Sequence, residues 1–327
     1  MIAGTPPPFD PQLAPALEAI QGGPVSGGAF TADMISVLRE GNASALPRVT
    51  DEDLRRGGAF EVSFKGAPGA DGAPDVPLLI CRPAAAPGPV PVLYHIHGGG
   101  MIMGDNRTGI TSMLDIAERF TLAVVSVEYR LAPETPHPGP VEDCYAGLAW
   151  TAKNAAELGI DPARIIVGGG SAGGGLSAAT ALLARDRGGP ALAGQLLMCP
   201  MLDDRNDTPS AVQMEGRGIW DRGVNEIAWT AVLGDARGGP DVSPYAAPAR
   251  ASDLSDLPPA YIDVGSAETF RDEAVAYASR IWQAGGDAEL HVWPGGYHAF
   301  AGFAPEAALS KDATAAPVAW LRRLLAR

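Results

Sequence analysis

The chain has few of the residues that most enzyme chemistry draws on. Among 327 residues there are five histidines, His95, His97, His137, His291 and His298, so any imidazole-dependent reaction must use one of these. Cysteine is scarcer still. Cys81, Cys144 and Cys199 are odd in number and far apart, which argues against a disulfide framework and fits a reducing compartment. Basic residues number 24 against 38 acidic, for a formal charge of −14, and there is no basic run. That balance argues against nucleic acid and anionic membrane as partners. No apolar run reaches the length of a membrane span, and the N-terminus, MIAGTPPPFDPQL, lacks the basic and apolar regions of a secretion signal. The expectation is a soluble, cytoplasmic protein.

What is plentiful is apolar material, 46% of the chain, together with 41 glycines and 30 prolines. That is enough for a large core and too little Gly and Pro for a disordered chain. Residues 1–55 are punctuated by Pro and Gly, with short helical patterns at 11–20 and 31–40, and read as an N-terminal appendage. Strand patterns follow at 60–64, 76–82, 90–97, 122–127, 165–168, 194–198, 260–264 and 289–292, several of them continuous apolar runs. Helical patterns lie between or after them at 108–120, 141–157, 172–187, 272–284 and 305–326. Alternation of this kind predicts a mostly parallel sheet with helices on both faces. The polar, Gly-rich segment 203–239 interrupts it, with one helix at 223–233, and reads as an excursion over the sheet's edge.

Three places carry chemistry. The first is Ile165-Ile166-Val167 running into Gly168 to Gly175 with Ser171 in the middle. Gly169-Gly170-Ser171-Ala172-Gly173 fits G-x-S-x-G, in which a serine stands on a sharp strand-to-helix turn and the helix N-terminus faces any oxyanion formed beside it. Gly168, Gly170 and Gly173 also fit a dinucleotide fingerprint, but its acidic partner would be Asp186, inside the helix pattern rather than at a strand end. The second is His97-Gly98-Gly99-Gly100 at the end of a strand, a loop whose bare backbone N–H groups can donate to an oxyanion, with His97 holding the loop. His95 and His97 share a strand face, but no third ligand at a metal-site spacing accompanies them. The third is an acid and a base downstream of Ser171. His298, in the loop beyond the last strand, is favoured over His291 within it. Glu268, in the loop after 260–264, is favoured over Asp272 in the next helix's first turn and over Asp263 inside the strand.

Taken together these segments resemble the hormone-sensitive-lipase-like (bacterial family IV) esterases of the α/β-hydrolase superfamily, over roughly residues 75–325. Tyr129-Arg130-Leu131-Ala132-Pro133-Glu134, Glu142-Asp143 and Asp161-Pro162-Ala163-Arg164-Ile165 match family segments in the same order. Glu268 to Glu273 stands where the family carries Asp-Pro-Leu-x-Asp-Glu, and Tyr297-His298-Ala299-Phe300 resembles its His-Gly-Phe segment. Two positions depart from the pattern: Gly170 replaces the usual Asp or Thr before the serine, and Glu268 replaces the usual Asp. The resemblance implies an α/β-hydrolase domain over 56–327, an eight-stranded sheet, and a helical cap made by 1–55 and 203–239. It implies a serine carboxylesterase acting on short- to medium-chain esters without cofactor or metal. Ser171, Glu268 and His298 would be catalytic, and the N–H groups of Gly99, Gly100 and Ala172 would form the oxyanion hole. Phe30, Met214 and Trp220 are the candidate substrate-binding residues from the cap. The partner is a small ester, and a homodimer fits the family. A non-catalytic binding protein on the same fold is the contrasting reading.

Overall fold

A computed structural model of the chain describes residues 4–21, 30–37, 39 and 49–326. Much of the N-terminal appendage, including parts of the 31–40 helix pattern, lies outside the described residues. The eight strands are β1 Phe60–Ala67, β2 Val76–Pro83, β3 Val90–Ile96, β4 Ala123–Val127, β5 Ile160–Gly170, β6 Gly194–Met198, β7 Ala260–Gly265 and β8 Ala288–Trp293. They form one sheet in the order β1-β2-β4-β3-β5-β6-β7-β8. The β1–β2 and β2–β4 pairs are antiparallel and the other five are parallel. This is the α/β-hydrolase architecture that the sequence predicts.

The helices that matter below are α1 Ala14–Ile20, α2 Ile110–Phe120, α3 Gly139–Lys153, α4 Ala172–Asp186, α5 Pro209–Gln213, α6 Arg222–Leu233, α7 Arg271–Gln283 and α8 Ala308–Leu325. Side-chain alternation along the strands explains why the central runs are apolar throughout. Val92, Tyr94 and Ile96 of β3 belong to one apolar cluster with residues of α3, α4 and α7. Leu93 points the other way, into a cluster with Ile110, Met113 and Leu114 of α2 and Val318, Trp320 and Leu321 of α8.

Two differences from the sequence reading are local. Strand β5 begins at Ile160, five residues before the predicted start, because Val90 pairs with Ile160 and Val92 with Ile165. The intervening residues leave the ladder, where Asp161 accepts bonds from the Ala163 amide and the Arg164 side chain. The segment 203–239 also contains α5, a five-residue helix capped by Thr208, whose hydroxyl accepts from the Ala211 amide. A helix of one turn leaves no periodicity to read.

The parallel register brings five strand ends to one edge. Ile96 pairs with Gly169, Gly170 with Met198, Met198 with Asp263, and Gly265 with Trp293. The loops after β3, β5, β6, β7 and β8 therefore open side by side, where open α/β sheets carry their sites.

Candidate active site

Ser171 sits between β5 and α4 with φ 59° and ψ −125°, a backbone region that L-residues rarely occupy. The strain, of order 1–3 kcal/mol, is held by neighbours on both sides. The Ser171 amide donates to Met198 O at 2.8 Å, and its carbonyl accepts from the Gly175 and Met201 amides at 3.0 Å each. The flanking glycines have a steric cause: a Cβ on Gly169 or on Gly173 would collide with the Ile96 carbonyl oxygen. The end of β3 is thus wedged against the turn, and Gly98 lies beside the Ser171 side chain.

The Ser171 hydroxyl is 2.9 Å from His298 Nε2, and His298 Nδ1 is 3.1 Å from Glu268 Oε1. The second Glu268 oxygen accepts from the Gly265 amide at 3.0 Å. Both members of the His–Glu pair are buried. Phe270 meets the imidazole edge-on at 5.1 Å between ring centres. Burial works against the imidazolium, but Cys199 and Glu268 face the ring and favour it more strongly, so the pKa of His298 stands above the ordinary histidine value. Of the rival residues, Asp272 instead accepts from the Ser210 amide at 2.8 Å and the Arg271 side chain at 2.7 Å, tying α5 to α7. Asp263 accepts from Trp293 and Tyr261. His291 bonds Glu289 at 2.9 Å on β8, stacked on Trp293.

The glycine loop after β3 is fixed from behind. The His97 ring stacks on Tyr129 with centroids 4.1 Å apart, its Nδ1 lies 2.8 Å from Gly98 O, and Tyr129 donates to His97 O at 2.9 Å. Burial pulls His97 down to about 4, so the ring is neutral and its Nδ1–H donates to that carbonyl. His95 is separately engaged, bonded to Ser126 Oγ at 2.9 Å. Gly99 and Gly100 have φ of 108° and 64°, and the Gly99 carbonyl accepts from the Ile102 and Met103 amides. Ala172 is the first residue of α4, so its N–H has no partner within the helix.

Of the three cap residues, Trp220 reaches the site. A Cβ on Gly100 would run into its indole, which stands 6.4 Å from the His298 ring. Asn225 accepts from the indole N–H at 3.1 Å, and Thr269, next to Glu268, donates to the Trp220 carbonyl at 2.7 Å. Phe30 and Met214 are buried, Phe30 in the main core and Met214 just after α5. No polar or ring contact among the described residues sets either against Ser171 or His298. The dinucleotide partner Asp186 is bonded by Arg185 and Tyr245 at the far end of α4. Sequence reasoning missed Cys199, whose only signal was its place just after a strand.

The sequence and the fold have counterparts among known proteins. A family model described as the alpha/beta hydrolase fold matches residues 93–302. The chain belongs to the α/β-hydrolase family. This hydrolase is 39% identical over 259 residues to the carboxylesterase NlhH of Mycobacterium tuberculosis, covering 79% of its own length and 81% of the relative's. It is 38% identical over 239 residues to the esterase LipI of the same organism, covering 72% and 73%. Among solved structures it superposes on a bacterial heroin esterase with a TM-score of 0.86 at 40% identity, covering 97% and 98% of the two chains. On the esterase LipW from Mycobacterium marinum the score is 0.85 at 33% identity, covering 98% of each. The hydrolase has no helix, among its described residues, long and apolar enough to cross a membrane.

Proposed function

We propose that this hydrolase is a serine carboxylesterase that cleaves short- to medium-chain esters through an acyl-enzyme. The observation that carries the reading is the continuous relay from Ser171 Oγ through His298 to Glu268, on a strained turn. Its relatives' names, carboxylesterase and esterase, support it. His298 takes the Ser171 proton as the oxygen attacks the ester carbonyl. Glu268 holds the ring and balances its charge. The N–H groups of Gly99, Gly100 and Ala172 receive the oxyanion, each worth on the order of a hundredfold in turnover. His298 then protonates the departing alcohol, and water attacking by the same route frees the acid.

The cap is part of the proposal. Segment 203–239 lays Trp220 over Gly100 and His298, and α1 packs Leu13 and Leu17 against Tyr297 and Phe300, which flank His298. Trp220 forms one wall of the acyl or alcohol pocket, and Phe30 and Met214 act behind it. Three free thiols, Cys81, Cys144 and Cys199, suit a cytoplasmic home. A homodimer would use β8, an edge strand with Val292 exposed. The deciding experiment offers a chromogenic short-chain ester and a covalent serine-hydrolase probe to the wild type and to Ser171→Ala. Wild type is expected to turn over the ester and take the label, and the variant to do neither. Equal turnover by the two overturns the mechanism.

A further inference from the structure

Cys199 follows β6 with φ 36°, in the left-handed region, and its amide donates to Asp263 O at 2.8 Å. In this position its sulfur, one His298 nitrogen and one Glu268 oxygen all lie within 4.8 Å of one another. We propose that these three side chains form a binding site for a thiophilic divalent cation of the zinc or cadmium class, and that occupancy switches the hydrolase off.

The donor set is the first argument. Thiolate, imidazole and carboxylate are the ligands borderline-soft cations select, and three protein ligands plus one water make a tetrahedral site. Ligands at roughly 2.0–2.3 Å from a metal stand about 3.5 Å apart, so side-chain rotation need close the set by only about an ångström. Charge is the second argument. A thiolate and a carboxylate together cancel a divalent charge, which removes most of the penalty for holding a cation where His298 and Glu268 are buried. Cys199 is partly covered as a residue, less so than His298 and Glu268. On binding, one proton leaves the Cys199–His298 pair to solvent as the sulfur–metal bond forms, so that the sulfur ligates as a thiolate and the ring as neutral imidazole.

Inhibition follows whichever ring nitrogen is taken. A cation on Nδ1 takes the place of the proton shared with Glu268 and leaves the ring proton on Nε2, so Ser171 has no acceptor for its own proton. A cation on Nε2 displaces Ser171 directly.

The test has two readouts, of which only inhibition rests on the proposed esterase activity. Zinc chloride or cadmium chloride is titrated into the wild type and Cys199→Ala, each compared with its own metal-free activity, and a chelator is added afterwards. Inhibition of the wild type that the chelator reverses, with at least a tenfold higher half-inhibiting concentration in Cys199→Ala, is expected. Equal sensitivity of the two overturns the site. Independently, cadmium is expected to give an ultraviolet thiolate charge-transfer band in the wild type and in Ser171→Ala, which keeps all three ligands. The same band in Cys199→Ala would trace it to Cys81 or Cys144 and also overturn the site. If the wild type lacks esterase activity but shows a band that Cys199→Ala loses, the function fails and the metal site stands.

Discussion

Glu268 and Asp272 are four residues apart and chemically alike, yet they have different work. Glu268 faces His298 Nδ1 from the loop after β7, whereas Asp272 is spent on the Ser210 amide and Arg271. Glu268→Gln is expected to lower kcat/KM by roughly a thousand- to ten-thousand-fold, as loss of a triad carboxylate does. Asp272→Asn is expected to cost about 1 kcal/mol of stability and to leave most of the turnover. Steady-state kinetics with circular dichroism on both variants checks this, and the reverse pattern would move the acid to Asp272. The pH profile gives a second check. The base must be neutral, and the His298 pKa is raised by the groups facing it, so kcat/KM should climb with pH through a midpoint above 6.5. Removing the Glu268 charge should move that midpoint down; a midpoint at or below 6.5 in the wild type contradicts the assignment. At this scale Ser171, His298 and Glu268 were legible because each sits at a strand end with a recognisable neighbourhood. Cys199 was not, since one cysteine beside a proline carries no pattern until the register sets β6 beside β7.

At the scale of elements, the strand–turn–helix around Ser171 shows why neighbouring glycines are not equivalent. Gly173 is packed against the backbone of Ile96 and His97, whereas a Cβ on Gly170 would meet only Met198 O, at 3.8 Å. Gly173→Ala should force β3 from α4, costing about 1–3 kcal/mol and, because β3 leads into the glycine loop, most of the activity. Gly170→Ala, at a position with no positive φ, should gain about 0.4–1 kcal/mol by restricting the unfolded chain. Urea unfolding of the two variants decides it; equal destabilisation would contradict the open space beside Gly170. The same element-level physics explains what could be read in advance. Central strands covered on both faces announce themselves as apolar runs, whereas the edge strands β1 and β8 carry exposed or half-buried positions; a segment of each of the eight was legible. The stretch before Ile165 was not, because Asp161 satisfies its own neighbours' donors and the chain reaches β3 again only through Ile160.

For the whole molecule, the sequence suggested an appendage and a cap set apart from a catalytic domain, and the packing joins them. Phe30 and Ile35 of the N-terminal segment, and Trp220, Val224, Ala228, Trp229 and Val232 of the 203–239 segment, belong to the same apolar cluster as Val92, Ile96 and Val167 of the sheet. Among the described residues the cap therefore shares the sheet's core rather than having one of its own to unfold around. Polar contacts cross the same seam: Arg39 donates to the Ile102 and Ala132 carbonyls, and Asp272 anchors α5. An element that buries its apolar face only against the sheet should melt with the sheet. Urea unfolding followed by tryptophan fluorescence, which Trp220 and Trp229 bring into the cap, should then coincide with unfolding followed by far-ultraviolet dichroism, which reports mainly the sheet and its helices. Loss of ester turnover should fall on the same curve. A fluorescence or activity transition at distinctly lower urea would mean that the cap opens as a separate unit, and that Trp220 guards the pocket as a moving lid rather than as a fixed wall.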